Sequence, residues 1–536
     1  MSECVGYVGP AADRMRDFLR VAKGMTLMPF GPHHVAVDNR NPAALHVSAT
    51  SISIGMRSPS LPNAHGVEIS LDGQHVVIDA DPFEQRRLYW QRVGDGVAFA
   101  TRVDLLPVQP AAISATAFIA QWCLSMNLSE HSLFEGVERL PAGHRLIIGL
   151  DGSSHLGRLT PASAEPTDAA GAAAVLQDVL RSYASSYDIV LGLSGGFDSR
   201  TLMAAMLGAG VPFRVHTYGT ASMPDVRRAV DVARRAGVAM HVTDLSAIEW
   251  DVDAVIASMR RTAWQTEASY PGAHALVFDD PDRLGPRSLL VDGGYGALWR
   301  GGFGNHLLVR HAKALRDRDA GVVANALMRR PPTLFREDLR TTAIDTCTTL
   351  VQQALDAMPV FSARSGRAWV DEFFLRWNPR GYVASPQSVY DARLASVMPF
   401  LDRRFARAAY GMTADQRANG RLFRHILRGA PAIAGMPYVG KRNEVPAFAA
   451  GRPLLAAVAS LLAPRYGKTP SIDSMCYGVL RPAMLDMAHS APVAPFDCFD
   501  PDAVRSLLRD TPVDGDDAAI AQLLDWFSLS IMNVSE

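Results

Sequence analysis

Lysine is almost missing from this chain: it occurs only at Lys23, Lys313, Lys441 and Lys468, so arginine supplies nearly all of the 53 basic residues. The bland reading of that bias is GC-rich coding, yet it makes a lysine in a glycine-containing loop stand out, because an ammonium and a planar guanidinium do different chemistry. Lys441 is such a residue. An excess of one charge is absent too, with 54 acidic residues against the 53 basic and a formal net charge of −1. No global field draws the chain to nucleic acid or to an anionic membrane, and any polyanion must be bound locally. The five cysteines, Cys4, Cys123, Cys347, Cys476 and Cys498, are scattered and show no C-x-x-C spacing. That excludes the common zinc and dithiol motifs and fits a reducing compartment. No run of about 18 apolar residues occurs, and the opening Met-Ser-Glu-Cys-Val-Gly lacks a basic region, so neither a membrane span nor a secretory signal is expected. A cytoplasmic chain is expected, and 536 residues exceed what one hydrophobic core usually serves.

What is present divides in two. From Cys4 to about Leu159, short apolar alternations such as Val67–Leu71, Val76–Ile78, Val97–Thr101 and His144–Ile148 are separated by turn residues, with hairpin signals at Leu71-Asp-Gly73 and Gly94-Asp-Gly96. Helical spacing covers Ala11–Lys23 and Ser114–Met126. The reading is an α+β region with antiparallel sheets. The stretch Gly152–Asp168, rich in Ser, Pro, Ala and Gly, reads as a linker, which sets domains at 1–160 and 166–536. Beyond it, helix (Ala169–Ser185), strand (Asp188–Leu193), helix (Ser199–Leu207), strand (Phe213–Tyr218), helix (Pro224–Gly237) and strand (Met240–Thr243) alternate, as in a parallel sheet with crossover helices. From about Asp319 onward the pattern is mostly helical, with breaks expected around Pro331, Pro359, Pro379 and Pro386.

The chemistry concentrates in Leu193-Ser-Gly-Gly-Phe-Asp-Ser199. A buried strand ends, two glycines let the backbone bend and an anion approach its amides, and a helix N-terminus adds free N–H donors. Phosphate is the natural ligand. No lysine follows the glycines, so this is not the G-x-x-x-x-G-K-[ST] loop and transfer of the γ-phosphoryl group is not expected. Asp198 is placed to hold Mg²⁺ against the phosphates and Ser199 to donate to one of them. The bland alternative is a helix cap with nothing bound, since caps favour the same residues.

This element resembles the pyrophosphate-binding loop of the ATP pyrophosphatase superfamily, and other segments resemble its asparagine synthetase branch. Val215-His-Thr-Tyr-Gly219 with Pro224-Asp225 is similar to the adenine-contacting strand and turn, Met398-Pro-Phe-Leu-Asp402 to the P-F-L-D segment, and Gly440-Lys-Arg-Asn-Glu444 to the late lysine loop. In the first half, Asp79-Ala-Asp-Pro-Phe-Glu-Gln-Arg-Arg-Leu-Tyr89 and Ser132–His144 resemble segments of the glutamine amidotransferase domain. The resemblance implies an N-terminal Ntn-hydrolase-like domain of α+β type and an α/β adenine-nucleotide-hydrolase-like synthetase domain with a helical C-terminal region. It implies ATP and Mg²⁺ as cofactors, Leu193, Ser194, Gly195, Gly196, Asp198, Ser199, Thr217 and Gly293 around the nucleotide, Asp198 and Asp292 on the metal, and Lys441 as the catalytic cation.

The chain departs from that family at two places. The glutaminase nucleophile is a cysteine directly after the initiator Met, whereas here Cys4 is fourth, so glutamine hydrolysis is not expected. β-Lactam synthetases and lasso-peptide cyclases are the family groups that adenylate a carboxylate without an ammonia source, and Ala395 stands where the former carry a glutamate, which favours the cyclases. In Leu290-Val-Asp-Gly-Gly-Tyr-Gly-Ala-Leu-Trp-Arg-Gly-Gly-Phe303 the usual second metal carboxylate is Ala297, leaving Asp292 or Asp198 alone to serve. The expectation is a macrolactam-forming ligase acting on a ribosomal precursor or core peptide, alongside a leader-removing protease. A β-lactam or asparagine synthetase and a non-catalytic nucleotide- or peptide-binding relative remain as alternatives. Arg300 and Arg393 read as surface or salt-bridge residues, and His216 as a satisfied core histidine.

Overall fold

The computed structural model describes residues 2–10, 24–39, 45–55, 66–106, 113–126, 128–129, 131–159, 164–270, 284–285, 287–301, 303–362, 366–377, 384–438, 471–489 and 498–532. The first half supplies β1 (Ser2–Val8), β2 (Thr26–Phe30), β3 (His33–Asn39), β4 (Leu45–Val47), β5 (Ser51–Ile54) and β6 (Val67–Asp72). They are followed by β7 (His75–Asp79), β8 (Tyr89–Val93), β9 (Gly96–Ala100), β10 (Val137–Arg139), β11 (His144–Gly149) and β12 (Ser154–Arg158). Two six-stranded sheets result, β10-β8-β9-β1-β3-β2 and β12-β11-β7-β6-β5-β4, and among the described residues neighbouring strands within them pair antiparallel. Period-two alternation decides their packing. Cys4 and Val8 of β1 face the core between the sheets with Val37, Ile69, Ile78 and Ile148. Val5 and Tyr7, on the other face, join Phe118, Trp122 and the helices of the second half in one continuous core.

The second half holds a five-stranded parallel sheet of β13 (Asp188–Gly192), β14 (Phe213–Gly219), β15 (Met240–Asp244), β16 (Ser288–Val291) and β17 (Ala395–Val397), in the order β15-β14-β13-β16-β17. Both faces are covered, as parallel sheets require. Ile189, Leu191 and Val291 pack with the helices Ala169–Ala184, Asp198–Ala209 and Arg421–Arg428. Val190 and Leu290, on the opposite face, share a core with the helix Val252–Thr266. The C-terminal part is helical, ending in Ile472–His489, Pro501–Asp510 and Asp517–Ile531. Among the described residues no helix is long and apolar enough to cross a membrane.

Several expectations need correction. The stretch read as a linker contains β12, which pairs with β11 along its length, so the first half extends through Arg158. The segment Ser114–Met126 is helical only to Leu124, its second part widens into a π-helical turn over Ala120–Leu124, and Ser125 closes it at φ 52°. Pro386 does not break a helix. It lies in the first turn of Ala384–Asp391, where the missing N–H has no intrahelical acceptor to lose. The helix expected at 11–23 and the surroundings of Pro379 lie outside the described residues.

The halves are joined by the turn that follows β7. Gln85 Nε2 donates to the Leu401 carbonyl (3.4 Å), Arg86 Nη2 to Asp391 Oδ1 and the Ser396 carbonyl (both 3.1 Å), and Arg87 Nη2 to Ser385 Oγ (2.8 Å). Glu267, buried at the end of the helix Val252–Thr266, accepts from Arg139 Nε (3.0 Å), Tyr89 Oη (2.9 Å) and the Leu133 N–H, with Arg87 Nη1 at 3.7 Å.

Candidate nucleotide site and adjoining cavity

Strand order locates the site. From β13 the chain moves outward through β14 and β15, then returns to place β16 and β17 on the other side, so the direction of winding reverses between β13 and β16. In open α/β sheets the crevice at such a reversal, beyond the strands' carboxyl ends, is where ligands bind. Here the loop 193–199 follows β13 and the loop 292–296 follows β16.

The two loops touch. A Cβ on Gly293 would lie 2.9 Å from Ser199 N, so only glycine lets the two backbones meet there, and one on Gly296 would lie 2.7 Å from Cγ of the Asp198 side chain. In the first loop Ser194 N donates to Ser199 Oγ (3.2 Å) and Gly196 N to Ser194 Oγ (3.1 Å). Gly195 N donates to Asp225 Oδ1 (3.0 Å), so a carboxylate from the start of the helix Pro224–Ala236 already occupies one amide of the loop, as an anionic ligand would. The 12-residue helix Asp198–Ala209 begins at Phe197 with no side-chain cap on its first N–H groups, which leaves its positive end available to phosphate.

Asp198 and Asp292 lie close enough to feel each other's charge. Burial raises the Asp292 carboxyl above its usual range, the Gly294 N–H on Oδ1 (2.6 Å) opposes this, and Asp198 adds to it. Burial likewise raises Asp198, against the pull of Arg300, whose Nε and Nη2 reach its two oxygens at 2.8 and 3.3 Å. Tyr218 is pushed up to about 12 by burial and by the charges of Asp292, Asp473 and Asp225. Two neighbouring carboxylates fit Mg²⁺, which keeps several waters and commonly takes one or two carboxylates beside phosphate oxygens. Arg300 is then the cation with which a metal on Asp198 competes. Among the described residues no cluster of three or more His, Cys, Asp or Glu side chains forms a metal site.

Leu193, Ser194, Gly195, Gly196, Asp198, Ser199, Asp292 and Gly293 are therefore brought together. Thr217 is buried on β14 next door, and among the described residues its side chain makes no hydrogen bond to the loop. Lys441 and its loop lie outside the described residues. Ala297 sits in the one-turn helix Gly296–Trp299, and Arg300, read from sequence as a salt-bridge residue, does form one, with Asp198 itself. His216 is satisfied in the core by Thr243 Oγ1 at 3.0 Å, and Arg393 Nη1 donates to the Val389 carbonyl at 3.3 Å. Cys4 lies inside β1, opposite Val37, with its thiol pushed up to about 12 by burial. Neither its position nor its protonation suits a nucleophile.

Beyond Asp292 and Gly294 a cavity of about 410 Å³ opens between the halves, lined also by Tyr270, Tyr390, Trp122 and Arg139. Tyr270 and Tyr390 hydrogen-bond each other, and burial raises both phenols well above their usual value, so both keep their protons near neutral pH. Sequence reasoning missed this cavity, and it marked Asp225 only as part of the turn resembling the adenine contact, not as the acceptor of the Gly195 N–H. No family model matches the chain, and no curated protein matches it significantly.

Proposed function

We propose that the protein is an ATP-dependent, AMP-forming carbon–nitrogen ligase that adenylates an Asp or Glu side-chain carboxylate of a peptide and closes a macrolactam with the peptide's own N-terminal amine. The observation that carries this reading is the meeting of the 193–199 and 292–296 loops at the sheet's reversal point, beside a cavity able to seat a second substrate. The first half is then a degenerate Ntn-type domain without a glutaminase nucleophile, and the second an adenine-nucleotide-hydrolase-like synthetase domain.

In this scheme the uncapped helix start holds the β- and γ-phosphates of ATP, and the amides of Ser194, Gly195 and Gly196 exchange their acceptors in the free protein, Ser199 Oγ, Asp225 Oδ1 and Ser194 Oγ, for phosphate oxygens. Asp198 and Asp292 would hold Mg²⁺, which would neutralise phosphate charge there. A substrate carboxylate oxygen attacks the α-phosphorus, the bond to the bridging oxygen breaks and pyrophosphate leaves. The amine then attacks the acyl carbon, losing a proton as the bond to AMP breaks. Tethering the amine in the same molecule raises its effective concentration without a second binding site. Lys441 neutralises the charge that develops on phosphate and oxyanion. The phenols of Tyr270 and Tyr390 keep their protons and orient the substrate.

Pyrophosphate release tests the reading. Release that depends on ATP, Mg²⁺ and a ribosomal precursor peptide, with a product lighter by one water, supports it, and Lys441→Met should abolish turnover while leaving ATP binding intact. Release with aspartate and ammonia points instead to an asparagine synthetase, and no release under any condition to a binding protein. A second reading, a small-molecule amide synthetase of β-lactam synthetase type, draws on the cavity's volume, which matches a drug-sized ligand.

A further inference from the structure

The helix that follows the nucleotide loop carries a cation where electrostatics disfavours one. Arg200 is the third residue of the helix Asp198–Ala209, in the first turn, where the helix dipole favours negative charge and repels positive. Its side chain is fully buried, and among the described residues no carboxylate pairs with it. Burial pulls its pKa down to about 10 and Arg228 adds to the pull, yet the guanidinium stays charged near neutral pH. A buried cation without a counter-charge is costly, so its retention at this position calls for a compensating role.

The contacts of the side chain indicate that role. Nη1 donates to the Met436 carbonyl (2.7 Å), and Nη2 to the Pro437 carbonyl (3.0 Å) and, at 3.5 Å, to the Gly195 carbonyl of the loop. The guanidinium lies over the Tyr438 ring, with Cζ 4.0 Å from its centroid, and that ring meets Phe197 edge-on at 5.0 Å. Arg200 therefore ties the loop to the segment 436–438, which runs on toward Lys441. The carbonyls and the ring solvate the charge without neutralising it. A trans peptide is planar, with its C=O and N–H pointing opposite ways. Holding the Gly195 carbonyl toward Arg200 thus turns the Gly196 N–H away from it, to the side where Ser194 Oγ accepts it at 3.1 Å. On the neighbouring amide, Asp225 Oδ1 accepts from Gly195 N at 3.0 Å. The loop thus offers its amides to oxygen acceptors, while a cation lacking a counter-charge stands behind them.

We propose that Arg200 is a positioning residue of the nucleotide site: from behind the loop and without touching the ligand, it sets the Gly195–Gly196 peptide, anchors the segment 436–438 to it, and has its charge balanced when a polyphosphate occupies the loop. The role rests on the nucleotide reading of that loop, not on which carboxylate is activated. Attraction between the guanidinium and the phosphates across one layer of peptide, at the effective dielectric of a protein, is worth about tenfold in affinity or more.

The test uses the full chain and calorimetric binding of ATP and of inorganic pyrophosphate in the presence of Mg²⁺. Arg200→Lys keeps the charge and loses the planar fork, whereas Arg200→Gln keeps N–H donors for the carbonyls and loses the charge. The Lys variant should bind both ligands within about threefold of the wild type, and the Gln variant about tenfold or more weakly. A residue that only braced the carbonyls would not rank Lys above Gln. Equal losses, a larger loss with Lys, or no loss with either overturns the role. Hydrogen exchange on the wild type supplies a measurement that unfolding of the variants cannot obscure. ATP should slow exchange in peptides covering 193–200 and 433–438 together, and protection confined to the first overturns the anchor. Wild-type protein that binds neither ligand refutes the nucleotide reading and this role with it, whereas wild-type binding that Arg200→Gln leaves unchanged refutes the role alone.

Discussion

Glu267→Gln is the most demanding single test of how the two halves are held together. Glu267 is fully buried and its carboxylate faces Arg139 and Arg87 from the first half, with Tyr89 Oη and the Leu133 N–H as further donors. Its backbone sits at φ 55°, a conformation that costs a side-chain-bearing residue about 1–2 kcal/mol, so those contacts also hold the chain against local strain. Glutamine keeps the shape and one acceptor oxygen but leaves two buried guanidiniums without a counter-charge. Breaking a buried pair in this way costs about 3–5 kcal/mol, and we expect the lower end because part of the hydrogen bonding survives. With a urea slope of about 3 kcal/mol/M, the unfolding midpoint should fall by about 1 M. The pH dependence carries a second signature. Burial pushes the Glu267 carboxyl up, but Arg139, Arg87, the Leu133 N–H and Tyr89 outweigh it and hold the folded-state pKa below the ordinary value. Its stabilisation is therefore complete above about pH 4.3 and is lost as pH falls through the depressed folded value. The variant should show a shallower loss of stability than the parent between about pH 5 and about pH 3. A midpoint shift worth less than about 1 kcal/mol, or strict additivity with Arg139→Gln in a double-mutant cycle, would refute the reasoning.

Other outcomes follow from the site. Arg300→Ala releases both oxygens of Asp198, so the Mg²⁺ concentration giving half-maximal ATP binding should fall severalfold in a fluorescent-nucleotide titration; a rise shows that Arg300 assists binding and does not compete for it. Gly293→Ala drives a methyl against the Ser199 backbone, which must move, costing about 1–3 kcal/mol of stability and weakening ATP binding; wild-type affinity and melting temperature together contradict the tight loop contact. Cys4 should resist iodoacetamide in the native protein at about pH 8 and react once urea unfolds it, read by peptide mass spectrometry. Rapid native alkylation would show an accessible thiol there.

The nucleotide loop was legible because its cause is local. A β-branched strand, two glycines and a helix start within eleven residues constrain the backbone wherever the segment lies, and β13 and the helix Asp198–Ala209 follow that pattern. The antiparallel first half was legible through its alternation and its turn glycines, Gly73 and Gly94, both at positive φ. Local composition misled where a long-range partner outweighed it: β12 forms in a Ser- and Gly-rich stretch because β11 offers its edge, and β17 forms inside a helical region because β16 does. Sequence could mark Asp198 but not that Arg300, 102 positions on, would sit upon it. Nor could it show that Arg139 and Glu267, 128 positions apart, would meet. The sequence by itself therefore determined the loop and the two kinds of sheet. The reversal of strand order, the cavity and the ion pairs Asp198–Arg300 and Glu267–Arg139 were decided by tertiary structure alone, because each depends on which distant segments share a buried space, and burial is what makes their charges count.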